Sequence, residues 1–223
     1  MAYKFDFGAI LPHWELLFDG VILTTQLTVI GAVVGVGFGI LGAWARASRA
    51  PVISPIVGIY VELIRNTPFL VQLFFIFFGL PALGVKLTEF QAAVLAMIVN
   101  LGAYSTEIVR AGIQAIPQGQ IEAAQTLAMN RVQIFRYVVI LPALQKIWPA
   151  LSSQIVIVML GSSVCSQIAA EELTFGANYI QALNFRAFEV YFVVTALYLV
   201  MSILLRMGLK VLGNFLFERR RHV

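Results

Sequence analysis

Five long apolar segments limit the folds that this sequence can form. A helix that crosses the hydrocarbon core of a bilayer needs roughly 20 predominantly apolar residues. The segments cover approximately residues 20–44, 52–78, 90–113, 144–168 and 187–212. Only 12% of the residues are charged, against roughly 25% in an ordinary soluble domain. The sequence therefore predicts an all-α polytopic membrane protein with about five transmembrane helices.

The basic residues cluster at the ends of the apolar segments and predict an orientation. Loops on the cytoplasmic side carry an excess of Lys and Arg. The three clusters are Arg46 with Arg49, then Arg131, Arg136 and Lys146, and finally Arg219, Arg220 and Arg221. We therefore expect the N-terminus outside and the C-terminus inside the cell. Because these residues do not form a stripe interleaved with aromatic residues, the net charge of +4 does not indicate nucleic acid.

The second apolar segment contains an unusual polar run near its middle. The run includes Glu62, Arg65, Asn66, Thr67 and Pro68. A charge at this depth costs about 2.5–3.5 kcal/mol unless it is paired or faces water. Pro68 has no N–H group, so the carbonyl of Ile64 should lose its helical partner and the helix should kink. Two interpretations stay open: a structural Glu62–Arg65 ion pair, and a pathway site where Arg65, Asn66 and Thr67 meet a substrate carboxylate.

Polar side chains also interrupt the fourth segment, and small residues line the first. The fourth segment carries Gln154, Ser162 and Ser163 among several hydroxyl and amide groups. Such groups either line a polar route or bond neighbouring helices, and the sequence favours neither reading. Gly35 and Gly39 belong to a row of glycines at four-residue spacing, which predicts close helix packing.

A polar connection of about 30 residues separates the third and fourth segments. It predicts a short Ala-rich helix after Pro117, because Glu122, Ala123 and Ala124 lie in a run of good helix formers. Asn130 suits the N-cap of a second helix. Small side chains on a short exposed helix allow it to enter a cleft in a partner protein, so we expect function in this connection.

This connection resembles the EAA motif of ABC importer permeases, the coupling helix that docks into an ATP-binding subunit. The motif positions are Gly119, Glu122, Ala123, Ala124, Ala128 and Asn130. Three further stretches resemble the polar amino-acid branch of that family and extend the likeness over nearly the whole chain. They are residues 62–72, residues 102–104 with Glu107 and Arg110, and residues 171–174. The resemblance adds Tyr104 to the candidate pathway residues.

The resemblance implies a type I ABC importer transmembrane domain in the bacterial inner membrane. Its parts would be a periplasmic segment at 1–19, a membrane domain at 20–213 with a coupling segment at about 114–143, and a basic cytoplasmic tail at 214–223. The implied partners are two ATP-binding cassette subunits, a second permease subunit and a periplasmic amino-acid-binding protein. ATP and Mg²⁺ would then act in the ATP-binding subunits. This chain would carry no cofactor, no metal and no catalytic residue, and it lacks a GxxxxGK[ST] loop.

The sequence departs from the family pattern in three places. Ala128 occupies a position where the family usually has glycine. The interval from Glu122 to Pro142 is one residue longer than the commonest form. Leu160 and Gly161 stand where many relatives have Lys-Asp, so no substrate contact of that acidic residue transfers to this chain.

Three alternative functions are compatible with a chain of mostly apolar segments. The first is an importer of the same architecture for another solute. The second is an ATP-independent channel or secondary transporter, which would have no ATPase to dock on the Glu122 helix. The third is an intramembrane enzyme, but His13 and His222 lie near opposite ends and cannot form an HExxH pair.

Overall fold

The computed structural model describes residues 4–48 and 51–217, which are mostly helical. The α-helices are α1 (Trp14–Ala47), α2 (Ile53–Arg65), α3 (Phe69–Phe74), α4 (Leu80–Ala82), α5 (Glu89–Gln114), α6 (Gln118–Thr126), α7 (Arg131–Gln133), α8 (Ile140–Gly161), α9 (Leu173–Asn184) and α10 (Ala187–Phe217). Short 3₁₀ helices cover Phe7–His13 and Ser162–Ile168, and π turns cover Phe75–Gly79 and Ile134–Val139. The basic residues Arg49, Arg219, Arg220 and Arg221 lie outside the described residues.

The predicted set of about five spans is confirmed, with one span broken. Four helical stretches of the described chain are long and apolar enough to cross a membrane: Phe7–Ala47, Glu89–Gln114, Arg131–Ile168 and Ala187–Phe217. The fifth is the pair Ile53–Arg65 and Phe69–Ala82, which is bent by 112°. Helix α10 exposes large apolar side chains along its length, including Ile203, Leu204 and Met207. Such a surface requires lipid or another protein against it.

Helices α1 and α5 form the most closely packed pair in the centre of the domain. A Cβ atom at Gly35 would lie 3.1 Å from the Cβ of Leu101, and one at Gly39 would lie 2.9 Å from the carbonyl carbon of Ser105. No larger side chain fits at Gly39 without moving α5. The glycine row therefore allows the close approach that the sequence predicts for helices in lipid.

The connection from α6 to α8 contains both predicted helices. Asn130 caps α7, since its side chain accepts from Gln133 N–H at 3.0 Å and its own N–H donates to the Gln133 side chain at 2.8 Å. The chain then passes through the π turn at Ile134–Val139 into α8. A π turn closes i→i+5 hydrogen bonds and so holds one more residue than an α turn. This turn provides a place for the additional residue between Glu122 and Pro142.

Ala128 ends α6 in a left-handed backbone conformation, with φ 56°. Its N–H donates to the Gln125 carbonyl at 2.9 Å, and the N–H of Met129 donates to the Ala124 carbonyl at 3.2 Å. This pair of bonds is the Schellman motif, in which glycine is the usual left-handed residue. Position 128 of this chain therefore has a backbone conformation that favours glycine.

We expect Ala128→Gly to stabilise the protein by about 1 kcal/mol, because glycine avoids the steric cost of a Cβ atom in the left-handed region. Thermal unfolding of the purified protein measures the effect. Ala123→Gly is the matched control, and it should destabilise α6 by a similar amount because position 123 lies inside the helix. A lower melting temperature for Ala128→Gly would contradict this account of the helix end.

A buried carboxyl group joins α9 to α10 at the opposite end of the domain from α6, and the neighbouring Leu173 N–H contacts α1. Glu172 is fully buried, and its carboxylate caps α9 by accepting from Phe175 N–H at 3.0 Å. It also accepts from the Tyr198 hydroxyl on α10 at 2.6 Å, while Thr24 on α1 accepts from Leu173 N–H at 3.2 Å. Burial raises the pKa of Glu172 to about 7, although the Tyr198 hydrogen bond acts in the opposite direction. These contacts make Glu172 a structural junction residue.

Candidate functional site

The helix break at Pro68 is stabilised by the side chain of Gln72. Helix α2 ends at Arg65 and α3 begins after Pro68. The Gln72 amide nitrogen donates to the carbonyls of Ile64 at 2.7 Å and Thr67 at 3.0 Å. The Ile64 carbonyl is the group that the sequence predicts to lose its partner. The Gln72 side chain, four residues after Pro68 on α3, therefore replaces the missing backbone donor.

Gln72 also connects the break to helix α5. Its amide oxygen accepts from Asn100 Nδ2 at 3.0 Å, and both side chains are buried. Each buried polar group left without a partner costs about 1–3 kcal/mol. The Asn100–Gln72 bond thus holds the two halves of the bent span at a defined position against α5.

A cavity of about 290 Å³ lies beside this break. Its volume is at the small end of the range of roughly 300–1,000 Å³ for ligand sites. The lining residues come from the break, α5, α8 and the following turn: Thr67, Pro68, Phe69, Asn100, Tyr104, Gln154, Ile157, Val158, Gly161 and Val164. Four of the predicted pathway residues, Thr67, Pro68, Tyr104 and Gln154, therefore meet at one place.

The polar groups that face this cavity differ in whether they are already bonded. The Thr67 hydroxyl donates to the Leu63 carbonyl at 2.8 Å. Within the described chain, neither the Gln154 amide nor the Tyr104 hydroxyl has a hydrogen-bond partner. An amide supplies both donors and an acceptor. The cavity therefore offers unbonded polar groups among mostly apolar walls.

The structural interpretation of the polar run, which predicts an ion pair between Glu62 and Arg65, is wrong. Between residues 51 and 217 these two side chains form no ion pair: the Glu62 carboxylate accepts from Asn66 Nδ2 at 3.0 Å. The Arg65 guanidinium instead lies over the Tyr104 ring, 5.7 Å from its centroid. Because Tyr104 lines the cavity, Arg65 stands at the cavity's edge. Its partner is on α5, 39 residues away in sequence, and helical spacing alone could not indicate it.

Five predicted pathway residues are not in the cavity lining: Glu62, Arg65 and Asn66 at the end of α2, and Ser162 and Ser163 after α8. The hydroxyls of Ser162 and Ser163 donate to carbonyls of the preceding turn, Met159 at 2.6 Å and Leu160 at 2.7 Å. They are satisfied within their own helix. Conversely, the sequence reading missed Asn100 and the contact role of Gly161. An amide in the middle of the apolar segment 90–113 is a signal that could have identified Asn100.

Glu107 and Arg110 form an ion pair within α5. The Arg110 guanidinium binds the Glu107 carboxylate through two nitrogens, one of them Nε at 2.9 Å. Arg46 at the end of α1 also lies 3.8 Å from the same carboxylate. This cluster ties α1 to α5 one helical turn beyond Tyr104.

The motif helix α6 has one buried and one exposed face. Ala124 is 4% exposed and packs with Ile116, Ile134, Val139 and Ala143. Gly119, Glu122 and Ala123 are exposed, and Leu127 is 76% exposed. Ala124 thus lies on the buried face of α6 and is not part of its exposed surface. The exposed face of α6 therefore consists of small side chains, one carboxylate and Leu127.

Comparisons with known proteins agree with this architecture. The profile of the family described as "Binding-protein-dependent transport system inner membrane component" matches residues 35–219. The glutamine transport system permease protein GlnP of Escherichia coli strain K12 is 34% identical over 204 residues, covering 91% of this chain and 93% of that protein. The L-cystine transport system permease protein TcyB of Bacillus subtilis strain 168 is 37% identical over 171 residues, which cover 77% of this chain and 73% of that protein.

A solved structure has the same fold over almost its whole length. The crystal structure of an amino acid ABC transporter with histidines contains a chain that superimposes with a TM-score of 0.85 at 36% identity. The match covers 95% of this chain and 99% of that chain. The bent span, the exposed helix α6 and these matches lead to one assignment. The chain belongs to the family of inner membrane components of binding-protein-dependent transport systems.

Proposed function

We propose that this chain is the permease subunit of an ATP-driven importer that carries polar amino acids across the bacterial inner membrane. The observation that carries the proposal is the cavity beside the Pro68 break, where the Gln154 amide and the Tyr104 hydroxyl lie unbonded. Freed backbone and polar side chains at membrane depth are tolerated only against protein or a water-filled cavity. The relatives named for glutamine, cystine and amino acid transport support the cargo class.

The exposed face of α6 supports the proposed partners. We propose that Gly119, Glu122, Ala123 and Leu127 contact an ATP-binding cassette subunit, while Ala128 and Asn130 hold the end of the helix in place. Two such subunits, with ATP and Mg²⁺, would supply the energy, together with a second permease subunit and a periplasmic binding protein. The basic residues Arg46, Arg131 and Arg136 favour a cytoplasmic position for α6 and a periplasmic N-terminus.

The test is uptake of radiolabelled glutamine into proteoliposomes that contain the complete transporter. We expect Gln154→Ala to reduce uptake about tenfold or more, because a cargo polar group would lose its hydrogen-bond partner in a mostly apolar site. Gln167→Ala is the matched control, since Gln167 is exposed and outside the cavity lining. Uptake by Gln154→Ala at the level of the control would exclude the cavity as the cargo site. Uptake of another solute class, with no amino acid uptake, would favour the alternative importer.

A further inference from the structure

The cavity beside the Pro68 break is lined by uncharged side chains only. Its polar members are Thr67, Asn100, Tyr104 and Gln154, and its remaining walls are apolar. No carboxylate lies in the lining of this cavity within the described residues. A cationic side chain that enters such a site loses its water and finds no anion to replace it.

The nearest carboxylates are already committed to other partners. Glu62 accepts from Asn66 Nδ2 at 3.0 Å. Glu107, one turn beyond Tyr104, binds Arg110 and lies 3.8 Å from Arg46. Neither acid is available to a cargo in the cavity without breaking these contacts.

The charge at the edge of the cavity is positive. The Arg65 guanidinium is exposed and lies 5.7 Å from the centroid of the Tyr104 ring. It has no carboxylate within ion-pair distance in the described chain, and it interacts at longer range with Glu107. A guanidinium attracts the carboxylate that every amino acid carries and repels a second cation.

We propose that the cavity selects amino acids whose side chains carry no positive charge and can hydrogen-bond to an amide, and that it rejects lysine-like and arginine-like cargo. This inference rests on the proposed function. The Gln154 amide would bind the cargo side chain, because it is the unbonded group with both donors and an acceptor. Selectivity then comes from the missing carboxylate rather than from cavity size.

The selection against cationic side chains is called the charge rule below. Gly161 is a position at which a substitution can reverse it. It lines the cavity and has ordinary helical angles, with φ −65° and ψ −21°. A Cβ atom built on it meets no atom within 4 Å. The Cβ atom of an aspartate therefore has room at position 161, and its carboxylate would be added to a lining that has none.

The experiment measures equilibrium binding of radiolabelled glutamine and lysine to the purified permease–ATPase complex, without the binding protein. The wild type should bind glutamine about tenfold or more tightly than lysine. Gly161→Asp should shift this ratio about tenfold or more toward lysine, while Gly161→Asn, of the same size and uncharged, should leave it unchanged. Size-exclusion chromatography checks that each variant retains its ATPase subunits.

Each outcome decides between the inferences. Equal binding of lysine and glutamine by the wild type overturns the charge rule and leaves the proposed function standing. If Gly161→Asp and Gly161→Asn give the same ratio of glutamine to lysine binding, the charge rule is also overturned and the proposed function still stands. If Gly161→Asp does not assemble, Gln154→Glu places a carboxylate in the same cavity and must shift the ratio toward lysine. Absence of uptake for every amino acid in proteoliposomes overturns both the charge rule and the proposed function.

Discussion

Ala124→Asp is expected to unfold the connection between α5 and α8, with a loss of about 3–5 kcal/mol, because it leaves an uncompensated charge in an apolar cluster. The cluster consists of Ile116, Ala124, Ile134, Val139 and Ala143. The variant should appear in the membrane at low yield and with a lowered melting temperature, before any partner is added. Thermal unfolding of the purified chain measures this loss.

Ala123→Asp is the matched variant one residue away, and it separates folding from docking. Ala123 is exposed, so an aspartate there keeps its water and the chain should fold with an unchanged melting temperature. If α6 docks into an ATP-binding subunit, the added charge is buried at that interface and the ATPase should be lost on purification. Equal melting temperatures for Ala124→Asp and Ala123→Asp would contradict the assignment of position 124 to the buried face of α6 and of position 123 to its exposed face. Normal transport by Ala123→Asp would contradict the docking role.

Gln72→Leu is expected to cost about 2–5 kcal/mol, because it removes the partners of several buried groups at once. The carbonyls of Ile64 and Thr67 lose a donor, and Asn100 Nδ2 loses its acceptor. Leucine has a similar volume, so the change tests hydrogen bonding rather than packing. Transport should fall together with thermal stability, since the cavity is bounded by the same helix break.

The control for this variant is Gln167→Leu, in which an exposed amide is replaced by the same side chain. It should leave the free energy of unfolding within about 0.5 kcal/mol of wild type, and therefore the melting temperature nearly unchanged, as surface substitutions usually do. The double variant Gln72→Leu with Asn100→Leu should recover part of the loss, because it removes the unpaired amide as well as its acceptor. If Gln72→Leu unfolds at the wild-type temperature, the side chain does not hold the break.

Local chemistry explains why several elements could be predicted from the sequence. Pro68 lacks an N–H group whatever surrounds it, so the helix must break there, and it does so with a bend of 112°. Asn130 caps its helix through residues only three positions away. Length and apolar composition identified the spans for the same reason, since every backbone group in a membrane helix bonds within its own segment.

Contacts between distant residues could not be predicted in this way. Glu62 and Arg65 have the spacing of an ion pair, yet Arg65 lies over Tyr104, because α5 packs beside the break and offers an aromatic face. In the sequence, the Ser162 hydroxyl and the Gln154 amide are equally good candidates for the pathway. Only the packing of α8 distinguishes a hydroxyl bonded to its own backbone from an amide that faces the cavity.

The sequence by itself determined the apolar spans, the helix break and the limits of α6, because these depend on covalent structure and on neighbours within about four residues. Only the tertiary structure decided which face of α6 is buried, which polar groups surround the cavity, and that Gln72 replaces the backbone donor missing at Pro68. The helical repeat is the same for every face of a helix, so the repeat alone does not show which face is buried. Which side becomes buried therefore depends on elements that the chain brings together from far along its length.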